Sequence, residues 1–457
     1  MKATLSLIAL AALLAACAGP EPQRPAATAA AAAAVPTAFP QADGAGTAAA
    51  ELPWAQAFQG ARLQKLIPLA LANNRDLRIA ALNIETARAS AAARDADLWP
   101  TVNAGLSGSR TPTAAGGINS LYQAGLQVSA YELDLFGRLR GLSAAAAAQV
   151  LAAESAQQAV RTALIAGVAI AEIALQADEA LLRITRATLA TREQALALTR
   201  QRYEGGVAAE PDLRSAESSL QAARAVLAQA QRQRAVDENA LALLIGSPLP
   251  ADLPAPTGEL ADFEPLAELP AGLPSEVLTR RPDIRQAEFA LGAADANIDA
   301  ARAAFWPRIT LTASAGTASG HLADLFKHSA WSFAPQLVQP LFDAGRNRAN
   351  LAGARAQRGI ALAQYEKAIQ AAFREVADGL AGRATLAEQR TALAAQVAAE
   401  TRRLDAAEQR YAAGVSNALD RLDAQRSLFA AQQSLVQVQS QRAQNLVVLY
   451  RALGGGG

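Results

Sequence analysis

The sequence predicts a mainly α protein with transmembrane β-structure: a duplicated chain of long α-helical hairpins plus four β-strands. Three observations carry this. Gln201-Arg202-Tyr203 and Gly206-Val207 recur as Gln409-Arg410-Tyr411 and Gly414-Val415, a shift of 208 residues (411 minus 203). A proline-free stretch from Leu139 to Arg202 carries apolar residues on a seven-residue spacing. Between the helical segments lie short runs that alternate apolar and polar residues, the period of a strand.

Taken from the amino terminus, residues 1–16 have the form of a secretory signal: Lys2 supplies the charge, and the apolar run from Leu5 to Ala16 is too short to span a bilayer. It closes on Leu14-Ala15-Ala16-Cys17, small residues before a cysteine, as lipoprotein processing requires. Cys17, the only cysteine, is therefore the candidate for a covalent lipid, and no disulfide framework exists. Ala18 follows it where an aspartate would commonly signal retention in the inner membrane, so the outer membrane is expected, with the lipid-anchored chain extending into the periplasm. Residues 17–50 are Ala, Pro, Gly and Thr with few large apolar side chains, which cannot offset the entropy of ordering; they predict a flexible tether. A net charge of +1, from 42 basic and 41 acidic residues, gives no bias towards nucleic acid.

The folded body then divides into a first repeat (51–246), a Pro-rich linker (247–274), a second repeat (275–453) and a Gly tail (454–457). The shift of 208 carries Asp212 onto Asp420, Leu220 onto Leu428, Arg234 onto Arg442 and Gly246 onto Gly454, and Leu98-Trp99-Pro100 matches Phe305-Trp306-Pro307. Val168, Leu175, Leu182, Leu189, Leu196 and Tyr203 form a heptad seam, and Leu362, Ile369, Val376, Val397, Leu404 and Tyr411 repeat it, with Arg383 and Arg390 replacing two leucines. Such a helix would reach roughly 95 Å at 1.5 Å per residue. Each stops at a glycine signal, Gly205-Gly206 or Gly414, and Pro211 suits the first turn of a return helix. Leu213, Leu220, Leu227 and Leu241 in one half, and Leu428, Leu435 and Leu449 in the other, place the return helices antiparallel to the long ones.

In the first half Tyr122, Ala124, Leu126, Val128 and Ala130 share one phase, which flips at Tyr131, Leu133 and Leu135 and so predicts a bulge. In the second half Ile309, Leu311, Ala313 and Ala315 alternate with polar residues, and a partner strand is expected from Ser329 to Phe342. Strands of this texture suit a transmembrane barrel, with the apolar positions facing lipid. Four strands cannot close one, and an open edge is not tolerated in hydrocarbon, so several chains must contribute. Pattern alone allows two, three or four copies.

With lipidation site, duplication, paired strands and hairpins in view, the chain resembles the TolC-like outer-membrane factor family, in its lipidated multidrug-efflux branch of NodT/OprM type. The most specific match is Arg410-Tyr411-Ala412-Ala413-Gly414-Val415 followed by Leu422-Asp423-Ala424-Gln425-Arg426-Ser427-Leu428, which is similar to the family's second periplasmic tip. The resemblance implies a homotrimer with a twelve-stranded β-barrel in the outer membrane and a periplasmic α-barrel tunnel. It implies passive conduction of drugs or other small molecules rather than catalysis, no cofactor, and two partners: a periplasmic adaptor protein and an inner-membrane pump, of resistance-nodulation-division type. By the same resemblance Leu419, Asp423 and Arg426, with Tyr411 beside them, match the residues that narrow the periplasmic aperture. Gly206-Val207-Ala208 and Gly414-Val415-Ser416 match the turns presented to the adaptor.

The bland reading of Asp423 and Arg426 is an ordinary surface pair three residues apart, worth a few tenths of a kcal/mol. Against it, the first-half equivalents of Leu419, Asp423 and Arg426 are Pro211, Ser215 and Ser218, so the charges belong to one hairpin only. Two other functions stay open: the duct of a type I protein secretion system, and a structural periplasmic coiled-coil lipoprotein. An enzyme finds little support, since His321 and His328, the only histidines, fall in a loop between strands with no triad or metal spacing.

Overall fold

A computed structural model describes residues 53–455 apart from 59, 115, 259 and 261–279. The signal segment, Cys17, the tether, much of the linker and the end of the Gly tail lie outside the described residues. Helices α1 (Trp54–Ala57), α2 (Ala61–Asn73) and α3 (Arg75–Ala96) lead into strands β1 (Val102–Pro112) and β2 (Ile118–Leu133). The first long hairpin follows as α4 (Arg138–Glu204) and α5 (Glu210–Ile245). The second half runs through α6 (Pro282–Ala303), β3 (Arg308–Ser319), β4 (Ser329–Val338), α7 (Arg346–Ala412) and α8 (Ala418–Ala452).

Each long helix has 67 residues and starts after a glycine with positive φ, Gly137 or Gly345. At 1.5 Å per residue each spans about 100 Å. The heptad seam explains how such a helix is held. Val168, Leu175 and Leu182 are buried, at about 1.5–3 kcal/mol for each large apolar side chain. Further along the same seam Leu189 and Leu196 are half-buried and Tyr203 is 40% exposed, so packing within one chain runs out towards the tip. The densest core lies at the upper half of the hairpins, where Phe58, Leu63 and Ile67 meet Ile173, Leu241 and Val447, and Phe58 meets Tyr450 edge-on at 5.4 Å. It joins the two halves. Arg62 forms a bidentate pair with the buried Glu172 (2.6 and 3.0 Å) and bonds the carbonyl of Pro254, while Gln176 accepts from the Gly258 amide, so residues 247–258 are tied along α4.

The four strands form one antiparallel sheet in the order β1-β2-β3-β4. The phase flip is realised as a register shift between Val128 and Tyr131, where Ala130 takes a φ of 52°. Strand β4 ends at Val338, four residues short of the expected Phe342. Pro340, which has no amide to donate, follows at once, and Gln339 instead bonds the carbonyl of Phe305, leaving Leu341 and Phe342 exposed at 93% and 91%. The sheet has no core of its own: β1 is exposed throughout, and Leu106, Trp331 and Phe333 stand open. Its outer strands β1 and β4 have no partner on their outer edges among the described residues. Phe136 and Trp306 stack at 5.3 Å just below it, as aromatic residues do where a barrel meets the headgroups.

Asp178 on α4 is buried and its carboxyl faces that of Asp237 on α5; Arg234 beside them is bonded to Glu179 and Glu238. Burial first, then the neighbouring Asp237 carboxyl, pushes the Asp178 carboxyl up to about 7. A folded-state value raised above the unfolded one means that the stabilisation is complete below the unfolded value near 4 and is lost progressively as pH rises from there to about 7. Asp178→Asn, which stays neutral at every pH, is therefore expected to raise the thermal midpoint by a few degrees at pH 8, by less at pH 5 and hardly at all near pH 4; equal effects at all three would sink the assignment of a raised Asp178 pKa.

Candidate functional site

The distal ends of both hairpins carry the predicted site residues. At the first turn the Gly206 amide bonds the Tyr203 carbonyl (2.9 Å) and the Val207 amide bonds that of Arg202 (2.8 Å). At the second, Gly414 bonds Tyr411 (3.1 Å) and Val415 bonds Arg410 (2.9 Å). These pairs close the last helical turn and require positive φ at the glycines, 71° at Gly206 and 74° at Gly414. Val207 and Val415 project into solvent, 81% and 69% exposed, whereas Ala208 and Ser416 are half-buried where the return helices begin. The Asn417 side chain caps α8 by accepting from the Asp420 amide at 2.9 Å.

Leu419, Asp423 and Arg426 line one groove of about 600 Å3 between α7 and α8, together with Arg403 and Arg410. Asp423 and Arg426 pair at 3.5 Å, but the shorter contact of Asp423 is to Arg403 on α7, at 2.6 Å. Arg403 also reaches Glu400 at 3.2 Å, and its hydrogen bonds, to Asp423 first and then Glu400, raise its pKa. The charged unit is thus a chain of four groups across two helices rather than one pair on α8. Leu419 is 57% exposed at the groove's end.

Tyr411 is not in that groove. It is buried, with its ring between the guanidinium groups of Arg421, at 4.3 Å, and Arg202, at 4.6 Å. Arg202 comes from the first hairpin, so the two tips are pinned through this ring. Its counterpart Tyr203 has no such enclosure, which makes the tips unequal despite their shared sequence.

Sequence reasoning missed Arg403, Glu400 and the pinning role of Arg202 and Arg421. For Arg403 a signal existed: it stands ten residues before Ala413 and Asp423 ten residues after, so folding the hairpin at its turn brings them opposite. Nothing comparable marks Arg202, whose partner lies on the other hairpin.

Open-edged sheet, duplicated hairpins built on 67-residue helices, and charged tips define a class, the outer-membrane channel subunit. The model of the family described as outer membrane efflux protein matches residues 66–247 and 273–455. The chain is 46% identical over 465 residues to a probable efflux pump outer membrane protein, TtgC, of Pseudomonas putida, covering 100% of this chain and 96% of that protein. It is 42% identical to outer membrane protein OprJ of Pseudomonas aeruginosa, covering 99% and 95%. The structure superposes with a TM-score of 0.84 on the open state of the MtrE outer membrane channel of Neisseria gonorrhoeae, at 41% identity over 92% of this chain and 96% of that one. The chain belongs to the outer membrane efflux protein family and is an outer-membrane efflux channel.

Proposed function

We propose that three copies close a twelve-stranded barrel in the outer membrane and continue below it as an α-helical duct across the periplasm. A periplasmic adaptor and an inner-membrane pump of the resistance-nodulation-division type complete a tripartite system and supply the energy. The observation that carries the reading is the sheet itself: among the described residues its outer edges are unpaired and its apolar side chains are open to the surroundings, a state stable in hydrocarbon only when closed by further copies. Chemical crosslinking of the purified protein in detergent is expected to stop at three subunits, and planar bilayers are expected to show stepwise conductance. A monodisperse monomer that conducts nothing would leave a structural coiled-coil lipoprotein in its place.

In the same reading Cys17 carries the lipid and residues 17–50 form the tether that reaches from it to the body. Cys17→Ser is expected to abolish palmitate labelling completely, because no other cysteine is available for a thioether, while trimers still form, since barrel and duct bury their surfaces independently of the acyl chains. Label retained by the variant would exclude lipidation at this site.

A further inference from the structure

Between the two hairpins, above the tips, lies a second cavity, of about 270 Å3, walled by apolar side chains such as Ile184, Leu404 and Leu428 and by polar ones that include Arg183, Arg192 and Gln425. Arg192 of α4 projects into it and is 93% buried (7% exposed). Its guanidinium is held in place, with one terminal nitrogen bonded to the Ser219 carbonyl at 2.8 Å and its centre 5.8 Å from the Phe429 ring. Its Nε has no hydrogen-bond partner, and among the described residues no carboxylate lies within ion-pair distance of it. Gln425, which lines the same cavity from α8, is equally buried and its Oε1 is also unpartnered.

A buried guanidinium cannot shed its charge by deprotonation, and leaving it uncompensated costs several kcal/mol. Burial first and then the nearby Arg426 depress its pKa, the direction expected of a cation without a counter-ion. The residue is also specific to this hairpin: the repeat places Glu400 at the equivalent position, where it pairs with Arg403. Folding stability alone would favour an apolar side chain in such a wall.

We infer that this cavity is a binding site for a small monovalent anion, a halide or a short carboxylate, held by the Arg192 guanidinium where the first hairpin meets the second. The guanidinium supplies the charge, and the apolar part of the wall strengthens its pull on an anion. Because the walls come from α4, α7 and α8, the bound anion fastens the two hairpins to each other.

The test compares the thermal midpoint of the wild-type assembly in sodium chloride, sodium acetate and sodium gluconate at equal ionic strength. Chloride or acetate is expected to raise it by about 3 °C over gluconate, the better of the two identifying halide or carboxylate as the ligand. Arg192→Met, which keeps the packing and removes the charge, is expected to erase the difference. Midpoints indifferent to the anion, or an anion effect that survives the substitution, would overturn the site. Should the variant not fold, crystals of the wild-type protein grown with bromide or acetate decide it. The anion beside the Arg192 guanidinium supports the proposal, and an empty cavity, or a neighbouring subunit's carboxylate in that place, refutes it.

Discussion

Arginine in place of Gly206 or Gly414 is expected to remove drug resistance while assembled channels still reach the outer membrane in normal amounts. The two glycines differ from buried ones in what a side chain would meet: nothing lies within 4 Å of a Cβ built at either position. The cost to the chain is confined to the positive φ, about 1–2 kcal/mol per position, which a hairpin of more than 60 residues can absorb. The cost to docking is larger, because Val207 and Val415 are the most exposed apolar groups of their turns and a bulky neighbour displaces any surface seated on them. Loss of a hot-spot contact is worth about 2 kcal/mol, roughly thirtyfold in affinity. Resistance assays beside immunoblots of outer-membrane fractions check this; resistance that survives both substitutions would show that the adaptor contacts another surface.

The parts of the fold with a single-chain cause were legible in the sequence. The heptad leucines have a period that only a long helix satisfies, and Leu175 and Leu182 are buried as that period requires. The bulge after Val128 was visible because a two-residue alternation cannot change phase without an extra residue. What escaped depends on partners distant in sequence. Arg202 and Tyr411 are brought together by two hairpins, and neither periodicity nor spacing records which faces of those hairpins meet. Nothing in the sequence marks Asp178, and only the packing of α5 against α4 sets Asp237 near it. The end of β4 was misjudged for a local reason: the apolar Leu341 and Phe342 look like a continuation of the strand, but the hydrogen-bonded ladder stops at Val338, just before Pro340.

Asp423→Ala with Arg426→Ala is expected to raise single-channel conductance in planar bilayers and to sensitise cells to large antibiotics such as vancomycin. In the proposed trimer three copies of the groove at Leu419, Asp423 and Arg426 approach one axis, where like charges crowd unless each is paired. The structure supplies the pairing: Asp423 accepts from Arg403 at 2.6 Å and meets Arg426 at 3.5 Å, and Glu400 steadies Arg403 at 3.2 Å. The side chains of Arg403, Asp423 and Arg426 are about half exposed, so each ion pair contributes little by itself. Three copies act on one closed-to-open equilibrium, so their contributions add. The geometry also ranks the single variants. Asp423→Ala breaks both contacts of the carboxylate, Arg403→Ala breaks the shorter one across the hairpin, and Arg426→Ala breaks only the longer one within α8. Conductance should therefore rise most for Asp423→Ala, less for Arg403→Ala and least for Arg426→Ala. Were the charges a mere surface pair on one helix, Arg403→Ala would change nothing and Arg426→Ala would equal Asp423→Ala; unchanged conductance in the assembled double variant would remove these residues from the gate altogether.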